Sequence, residues 1–560
     1  MDVLRSVARE LCRGLAHFPA TRRSFLFSSV LTLALIIPAC PSFAQKTDPA
    51  CDRLNQAALS GVSINAEVVA AGTFNGPPAA FTGEDLSGFY KTLPAFCRVQ
   101  VLARPSTDSE IKIEVWLPAA KWNGRLEGLG NGGFAGLIDY EHLGVAVSKG
   151  YVATATDTGH TGTPVDATWA LGHPEKVVDF GHRGIHEMTR VAKELSHAYY
   201  GKPVKHAYFD GCSDGGREAL MEAQRYPQDY DGILAGAPAN YWTQLLSASV
   251  WNTQALTLDE ASFIPPAKIP AIAAAVNATC DKLDAVQDGA LNDPRQCHFD
   301  PASIQCKEGA NSDTCLTTPQ VAALRKLYQG PRDARGEQIF PGYLPGAEDG
   351  PGGWGVWITG PAPMKSLMAF FGVNYFSYMV YGKPDWDYRT FQIEPGLKAA
   401  VEKTATSLDA ADADLRPFKQ HGGKLILYHG WQDPAIPALS SVRYYDAVRQ
   451  QLGQSETDSF LRFYLAPGMQ HCGGGPGPDA FGEAGDWSSH DAAHSLRLSL
   501  EEWVEKGKRP ASVIATKFAD PEKRDVKMMR PLCPYPQAAI FKGAGDPNQA
   551  TNFVCKIEKQ

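Results

Sequence analysis

Beyond residue 37 the sequence has no apolar run long enough to cross a bilayer, so no helical membrane span is expected in the body of the chain. It has no internal repeat and no extended low-complexity tract, which leaves stacked-repeat and collagen-like architectures without support. Basic residues are in the minority. Lys and Arg number 53 against 61 Asp and Glu, a formal net charge of −8 that becomes −11 when the five arginines and two acids before residue 45 are removed. Phosphate backbones are bound by basic surfaces, so a nucleic-acid partner is not expected. Otherwise the acidity implies little beyond solubility.

Residues 1–44 read as an export signal rather than as part of the fold. Thr21-Arg22-Arg23-Ser24-Phe25-Leu26 looks like a twin-arginine motif. The apolar stretch Phe25 to Ile37 is short for a membrane span, and Ser42-Phe43-Ala44 is a small-residue cleavage site before Gln45. Lipoprotein processing at Cys40 is the competing reading, against which stands a poor lipobox. A periplasmic or secreted protein is expected. Ten of the twelve cysteines follow the signal, an even number that in an exported chain suggests a disulfide framework. Short loops suggest Cys280–Cys297, Cys306–Cys315 and Cys533–Cys555; spacing leaves the rest open. Each bond stabilises by about 2–4 kcal/mol, mainly by restricting the unfolded chain. Twin-arginine export carries folded proteins, so these bonds must form late or on a folded scaffold.

The chemistry is concentrated in Gly211-Cys212-Ser213-Asp214-Gly215. The apolar run His206 to Asp210 before it reads as a strand, and Gly216 to Ala223 after it as a helix. A sharp strand-to-helix turn needs small neighbours and lifts the serine hydroxyl clear of the sheet, the pattern of a nucleophile elbow. Its partners follow. Lys424 to Leu427 is a strand running into His429-Gly430-Trp431-Gln432-Asp433, and Phe460 to Leu465 is another, ahead of Met469-Gln470-His471-Cys472. Ser213, Asp433 and His471 therefore come in the order of an α/β-hydrolase triad. A serine hydroxyl is a weak nucleophile at neutral pH; a neutral imidazole must take its proton, and a carboxylate must orient that imidazole. His429 also lies close to Asp433 and reads as a strand-end histidine packing beneath the site.

Cys212 precedes the serine and Cys472 follows the histidine. A bond between them would bring their α-carbons to about 4.4–6.8 Å and pin the histidine loop beside the elbow. With Cys-Ser, Asp and His-Cys segments in this order, the chain resembles the tannase and feruloyl esterase family over almost its whole mature length. The likeness is strongest to bacterial members that include aromatic-acid esterases and enzymes similar to mono(2-hydroxyethyl) terephthalate hydrolase. The resemblance implies a Cys212–Cys472 disulfide beneath the triad and a Cys51–Cys97 disulfide.

Strand-like and helical runs alternate through Ile111–Leu117, Val152–Thr156, the helix Arg183–Tyr199, the elbow and Gly232–Ala235. The alternation resumes at Lys424 with a strand, the helix Ser441–Leu452, a strand and the helix Asp491–Lys506. This predicts an α/β-hydrolase fold on a mostly parallel sheet, with residues 45–239 and 417–560 as the catalytic domain and 240–416 as an inserted lid. Within the lid, residues 280–293 gather hard oxygen donors around a glycine turn. That suits Ca²⁺, although the spacing is not that of an EF-hand and an ordinary Asp-rich turn fits as well. The family resemblance implies a structural calcium held by the carboxylates of Asp281, Asp284 and Asp288 and the carbonyls of Val286 and Ala290.

Acyl transfer also needs donors for the developing oxyanion. The backbone N–H of Asp214 is one; the loop Gly130-Asn131-Gly132-Gly133 is expected to supply the other, from Gly132 or Gly133. The lid aromatics Trp354, Trp357, Phe370, Phe371, Tyr375 and Phe376 are candidates for an aromatic pocket. Terephthalate monoester hydrolases of the family pair a lid arginine with the free carboxylate, yet no arginine occurs here between Arg335 and Arg389; Lys365 and Lys383 lack the bidentate fork. The expectation is therefore a monomeric serine esterase acting on small feruloyl- or galloyl-type aromatic esters. Mono(2-hydroxyethyl) terephthalate hydrolysis is the alternative within the same chemistry, and a non-catalytic, calcium-stabilised binding protein the alternative outside it.

Overall fold

A computed structural model describes residues 48–557, apart from residues 81, 488 and 521–522. The export signal expected over residues 1–44, with Cys40, lies outside the described residues. Nine strands form the central sheet: β1 (Val62–Val69), β2 (Phe96–Ala103), β3 (Ile111–Pro118), β4 (Arg125–Leu129), β5 (Val152–Thr156), β6 (His206–Cys212), β7 (Gly232–Gly236), β8 (Lys424–Gly430) and β9 (Leu461–Ala466). Their order is β1-β2-β3-β5-β4-β6-β7-β8-β9. The six strands from β5 to β9 run parallel, and β1, β2 and β3 add an antiparallel edge.

The parallel strands are short and buried along their length, as sheets covered on both faces must be. One face packs on the helices Gly184–Tyr200, Asp214–Arg225 and Leu439–Leu452, and the other on Tyr140–Ser148 and Leu496–Lys506. The antiparallel strands β1 and β2 fall outside the predicted alternation of strands and helices, because their polar residues alternate toward solvent and carry no buried βα signal. The helix expected from Asp491 is shorter. It begins at Leu496, where Ser495 caps it by accepting from the Leu498 N–H at 3.2 Å.

No sheet strand lies between β7 and β8. The chain there is helical and looped, with its own cluster of buried side chains from Leu256 to Met368, including Ile272, Leu324 and Trp354. Its two ends, Trp242–Val250 and Tyr375–Leu415, pack instead into the main core. After β9 two antiparallel hairpins, Val513–Asp520 with Asp525–Leu532 and Gln537–Phe541 with Phe553–Ile557, close the chain. All five disulfides are present: Cys51–Cys97, Cys212–Cys472, Cys280–Cys297, Cys306–Cys315 and Cys533–Cys555. Such a framework fits an oxidising compartment. No described helix is long and apolar enough to cross a membrane.

Candidate active site

Ser213, Asp433 and His471 each follow the C-terminal end of a parallel strand, where open α/β sheets place their ligands. Ser213 sits at φ 67°, ψ −119°, a conformation a non-glycine residue holds only when its surroundings fix it. Its N–H donates to the Gly236 carbonyl at 3.0 Å, and its carbonyl accepts from Ala239 at 3.1 Å. The turn is tight because backbones touch. A Cβ on Gly211 would lie 2.5 Å from the Gly215 carbonyl oxygen, and one on Gly215 2.9 Å from that of Asn131.

His471 Nε2 is 2.9 Å from Ser213 Oγ, and its Nδ1 is 2.7 Å from Asp433 Oδ2. Nδ1 faces a carboxylate and must carry the proton, which leaves Nε2 as the acceptor for the serine hydroxyl. Asp433 is fully ligated: Oδ1 accepts from the Ala435 and Ile436 amides at 2.7 and 2.9 Å, and Oδ2 is shared with His429 Nε2 at 3.1 Å. Burial pushes the Asp433 carboxyl up, but the charge of His471 and the hydrogen bonds of both histidines outweigh it and hold the group well below the ordinary carboxylate range. His429 is thus more than packing. Its Nδ1 stands 2.8 Å from Ser441 Oγ, and its Nε2 also faces the Ile436 carbonyl at 2.9 Å, which makes Nε2–H the donor.

Cys212 and Cys472 are bonded with α-carbons 6.0 Å apart. The histidine loop is further moored by Gln470, whose amide donates to the Ala347 and Asp349 carbonyls at 2.7 and 2.9 Å, and by Gln432, which accepts from Gly468 N–H at 2.7 Å. Neither glutamine drew notice in the sequence. Gln432 finds its partner where the loops after β8 and β9 meet, and Gln470 where the segment between β7 and β8 returns over the histidine loop.

A cleft enclosing about 530 Å³, its open mouth included, meets Ser213. Gly133 and Asp214 line it while Gly132 does not, so Gly133 is the better placed of the two loop glycines. Gly133 must be glycine: it lies at φ 61°, and a Cβ there would meet the Pro164 carbonyl at 2.3 Å. The remaining wall is Ala239, Trp242, Leu245, Leu246, Ser249, Trp357, Met368, Phe371, Ala435 and Ile436. Of the six aromatics singled out in the sequence, Trp357 and Phe371 reach the cleft. Trp354, Tyr375 and Phe376 are core, and Phe370 turns to solvent, because a short apolar helix presents every side in turn. The Trp357 ring stands edge-on to His471, centroids 4.8 Å apart. No lysine or arginine lines the cleft; Lys365 and Lys383 are exposed elsewhere. A larger cavity, about 1700 Å³ with its open mouth included, lies instead beside Arg295, Trp431 and Tyr535 and touches none of Ser213, Asp433 and His471.

In the acidic loop, Asp281 Oδ1 accepts from Gly289 N–H at 2.8 Å, Asp284 from Val286 and Asn292 at 3.0 Å each, and Asp288 from Ala290 at 3.0 Å. The second oxygen of Asp288 pairs with Arg530 from the C-terminal hairpin. As placed, no three acidic, histidine or cysteine side chains among the described residues form a metal-holding group. The donor chemistry nevertheless fits a hard cation. Asp284, Val286, Asp288 and Ala290 border one small cavity, and burial, with repulsion from Asp288 and Asp281, raises the Asp284 carboxyl to about 6.

The model of the family described as "Tannase and feruloyl esterase" matches residues 97–556. An uncharacterized esterase of Xanthomonas campestris is 39% identical over 523 residues, covering 89% of this chain and 90% of the relative. A probable feruloyl esterase B-2 of Aspergillus terreus is 32% identical over 82% of this chain and 86% of its own. Among solved structures, feruloyl esterase B from Aspergillus oryzae superposes with a TM-score of 0.82 at 27% identity, over 91% of this chain and 99% of that one. Tannin acyl hydrolase from Aspergillus niger, at 22% identity and a TM-score of 0.69, shares the fold. With an α/β-hydrolase sheet, the fold on which these carboxylic ester hydrolases are built, this chain belongs to the tannase and feruloyl esterase family.

Proposed function

We propose that the protein is an exported serine esterase that cleaves feruloyl- or galloyl-type esters of uncharged aromatic acids through an acyl-enzyme. The observation that carries this is the continuous chain from Ser213 Oγ through His471 to Asp433, at 2.9 and 2.7 Å, opening onto an apolar cleft. Ser213 attacks the ester carbonyl as His471 Nε2 takes its proton, and Asp433 holds the imidazolium. The oxyanion is met by the N–H groups of Asp214 and Gly133, each such donor contributing about 3–4 kcal/mol to the barrier reduction. His471 then protonates the leaving alcohol, and water attacks the acyl-enzyme by the same route.

An uncharged acyl group is favoured by the cleft lining, which supplies aromatic and aliphatic surface and no cation. A terephthalate monoester would bring a carboxylate with nothing to pair it, a costly burial. Export rests on the signal read in residues 1–44. The inserted segment is proposed to act as a lid, and a calcium ion at Asp281, Asp284, Val286, Asp288 and Ala290 to brace it. The test is hydrolysis of methyl ferulate, methyl gallate, mono(2-hydroxyethyl) terephthalate and a short aliphatic ester, with fluorophosphonate labelling of wild type and Ser213→Ala. Serine-dependent preference for the first two is expected; an unlabelled Ser213 would overturn the mechanism.

A further inference from the structure

The two backbone donors proposed for the oxyanion come from distant parts of the chain. Asp214 opens the helix after the nucleophile, and Gly133 lies in the loop after β4. A site of this kind works only if donors are held in place before charge develops, and Ser213, His471 and Asp433 make no hydrogen bond to that loop that could hold it. One residue of the loop is instead tied twice to the nucleophile helix. Gly215 N–H donates to the Asn131 carbonyl at 2.7 Å, and Asn131 N–H donates to Glu218 Oε2 at 2.8 Å. The Asn131 side-chain amide donates to the Thr156 and Leu137 carbonyls at 2.9 and 3.2 Å, which ties the loop to the C-terminal end of β5 and to itself as well. Gly130 permits the approach: a Cβ there would stand 2.7 Å from the Gly215 α-carbon and 3.3 Å from Glu218 Oε2.

Resting on the serine-esterase reading above, we propose that Glu218 is a positioning residue for the oxyanion hole. Its carboxyl grips the Asn131 amide and so holds the Gly130–Gly133 loop, with the Gly133 N–H, at a set distance from the Asp214 N–H.

The charge arrangement makes this grip a neutral one. Asp214 and Glu218 lie one turn apart on the helix, both buried, with a single guanidinium, Arg217, between them. Arg217 Nε goes to Asp214 at 2.6 Å, and its other nitrogens go to the Gly181 and Phe180 carbonyls. Glu218 makes no ion pair. Burial and the charge of Asp214 push its carboxyl well above the ordinary range, against the weaker pull of Arg217 and the Asn131 amide. Its other oxygen, Oε1, has no hydrogen-bond partner in the protein, so the part of the hold that Glu218 supplies passes through Oε2 alone. A neutral acid offers Asn131 a carbonyl-type acceptor, and an amide side chain offers the same. An acid serving only to fill the core would act on stability and leave the chemical step alone.

The test compares wild type, Glu218→Gln, Glu218→Leu and Glu218→Asp by steady-state kinetics, by the rate of phosphonylation of Ser213 with a fluorophosphonate, and by thermal melting. Loss of the acceptor in Glu218→Leu, or its withdrawal by one methylene in Glu218→Asp, is expected to lower kcat by at least about tenfold, part of the hundredfold or more that an oxyanion donor is worth. KM should stay within about twofold and phosphonylation should slow in parallel. Glu218→Gln should recover most of the lost kcat. Should Glu218→Leu fail to fold, the Asp and Gln pair carries the comparison. A folded Leu or Asp variant with wild-type kcat, a loss confined to KM, or a Gln variant as slow as the Asp variant overturns the proposal. If wild-type Ser213 is itself unreactive, the serine-esterase reading fails; if it reacts and the variants match it, only the role of Glu218 falls.

Discussion

His429 places Nε2 3.1 Å from Oδ2 of Asp433, the oxygen that also receives His471 Nδ1–H. The Asp433 carboxylate is therefore steadied from behind by a second, fully buried imidazole, whose Nε2 also faces the Ile436 carbonyl and so carries the proton. Replacing His429 by Phe keeps the ring volume and removes the donor. A hydrogen bond to a charged group is worth about 1.5–3 kcal/mol, so a fall in kcat of roughly tenfold or more is expected with KM little changed. Steady-state kinetics beside a melting curve checks it; unchanged kcat in a folded variant would reduce His429 to packing.

Asp433 also links pH to stability. Its carboxyl is depressed in the fold relative to about 3.9 in an unfolded chain. A depressed acid contributes stability that is complete above the unfolded value and is lost as pH falls through the folded one. Asp433→Asn lacks that contribution at every pH. The melting temperature of the wild type should exceed that of the variant at pH 7, and the gap should shrink as pH drops below about 4. Activity is expected to fall by about 10⁴ at neutral pH, as for other triads that lose the orienting carboxylate.

How much of this was legible beforehand depends on whether the signal was local. The elbow, the order Ser213, Asp433, His471 and five of the six parallel strands announce themselves within short windows, because a buried strand and a strained turn each demand particular residue types. The antiparallel edge of β1 and β2 does not, since half-exposed strands such as Val62–Val69 carry a weak pattern. Glu218, Gln432 and Gln470 are ordinary polar residues in sequence. They acquire their partners Asn131, Gly468, Ala347 and Asp349 only when segments far apart in the chain meet. The aromatic wall was half visible. Trp357 and Phe371 were among six candidates, whereas Trp242 and Met368 reach the cleft from helices that gave no hint of facing it.

The Cys212–Cys472 bond spans 260 residues and fixes the loops of Ser213 and His471 to each other. Closing so long a loop restricts the unfolded chain, at about 2–4 kcal/mol in typical cases. The double variant Cys212→Ala/Cys472→Ala is expected to melt at a lower temperature and to lose kcat more than the stability loss accounts for, because the bond holds Cys472, next to His471 and at φ 57°, in a conformation it would otherwise leave. Kinetics well below the variant's melting temperature separates the two effects.

The acidic loop predicts a response to calcium that needs no activity measurement. A ligand that binds only the folded state raises the melting temperature with its concentration. Added Ca²⁺ should raise it in chelator-treated protein, and Asp284→Asn should flatten the response. Arg530 pairs with Asp288, so Arg530→Gln removes a competing cation and should strengthen the effect. A melting temperature indifferent to Ca²⁺ in all three proteins leaves the loop as an Asp-rich turn.

Trp357 brings the segment between β7 and β8 against both the cleft and His471. Its ring stands against His471 at 4.8 Å between centroids and stacks loosely on Phe371 at 6.3 Å. Trp357→Ala removes a wall of the cleft and one side of the imidazole's packing. If the ring serves chiefly to bind a flat acyl group, KM for methyl ferulate should rise about tenfold or more while a short aliphatic ester is barely affected, because only the aromatic acyl group loses contact area. If it serves chiefly to hold His471, kcat should fall alike for both esters. The cleft lining favours the first outcome: Trp357 and Phe371 line the cleft at Ser213 together with Trp242 and Leu246, whereas His471 is already held by Asp433 and by the disulfide beside it.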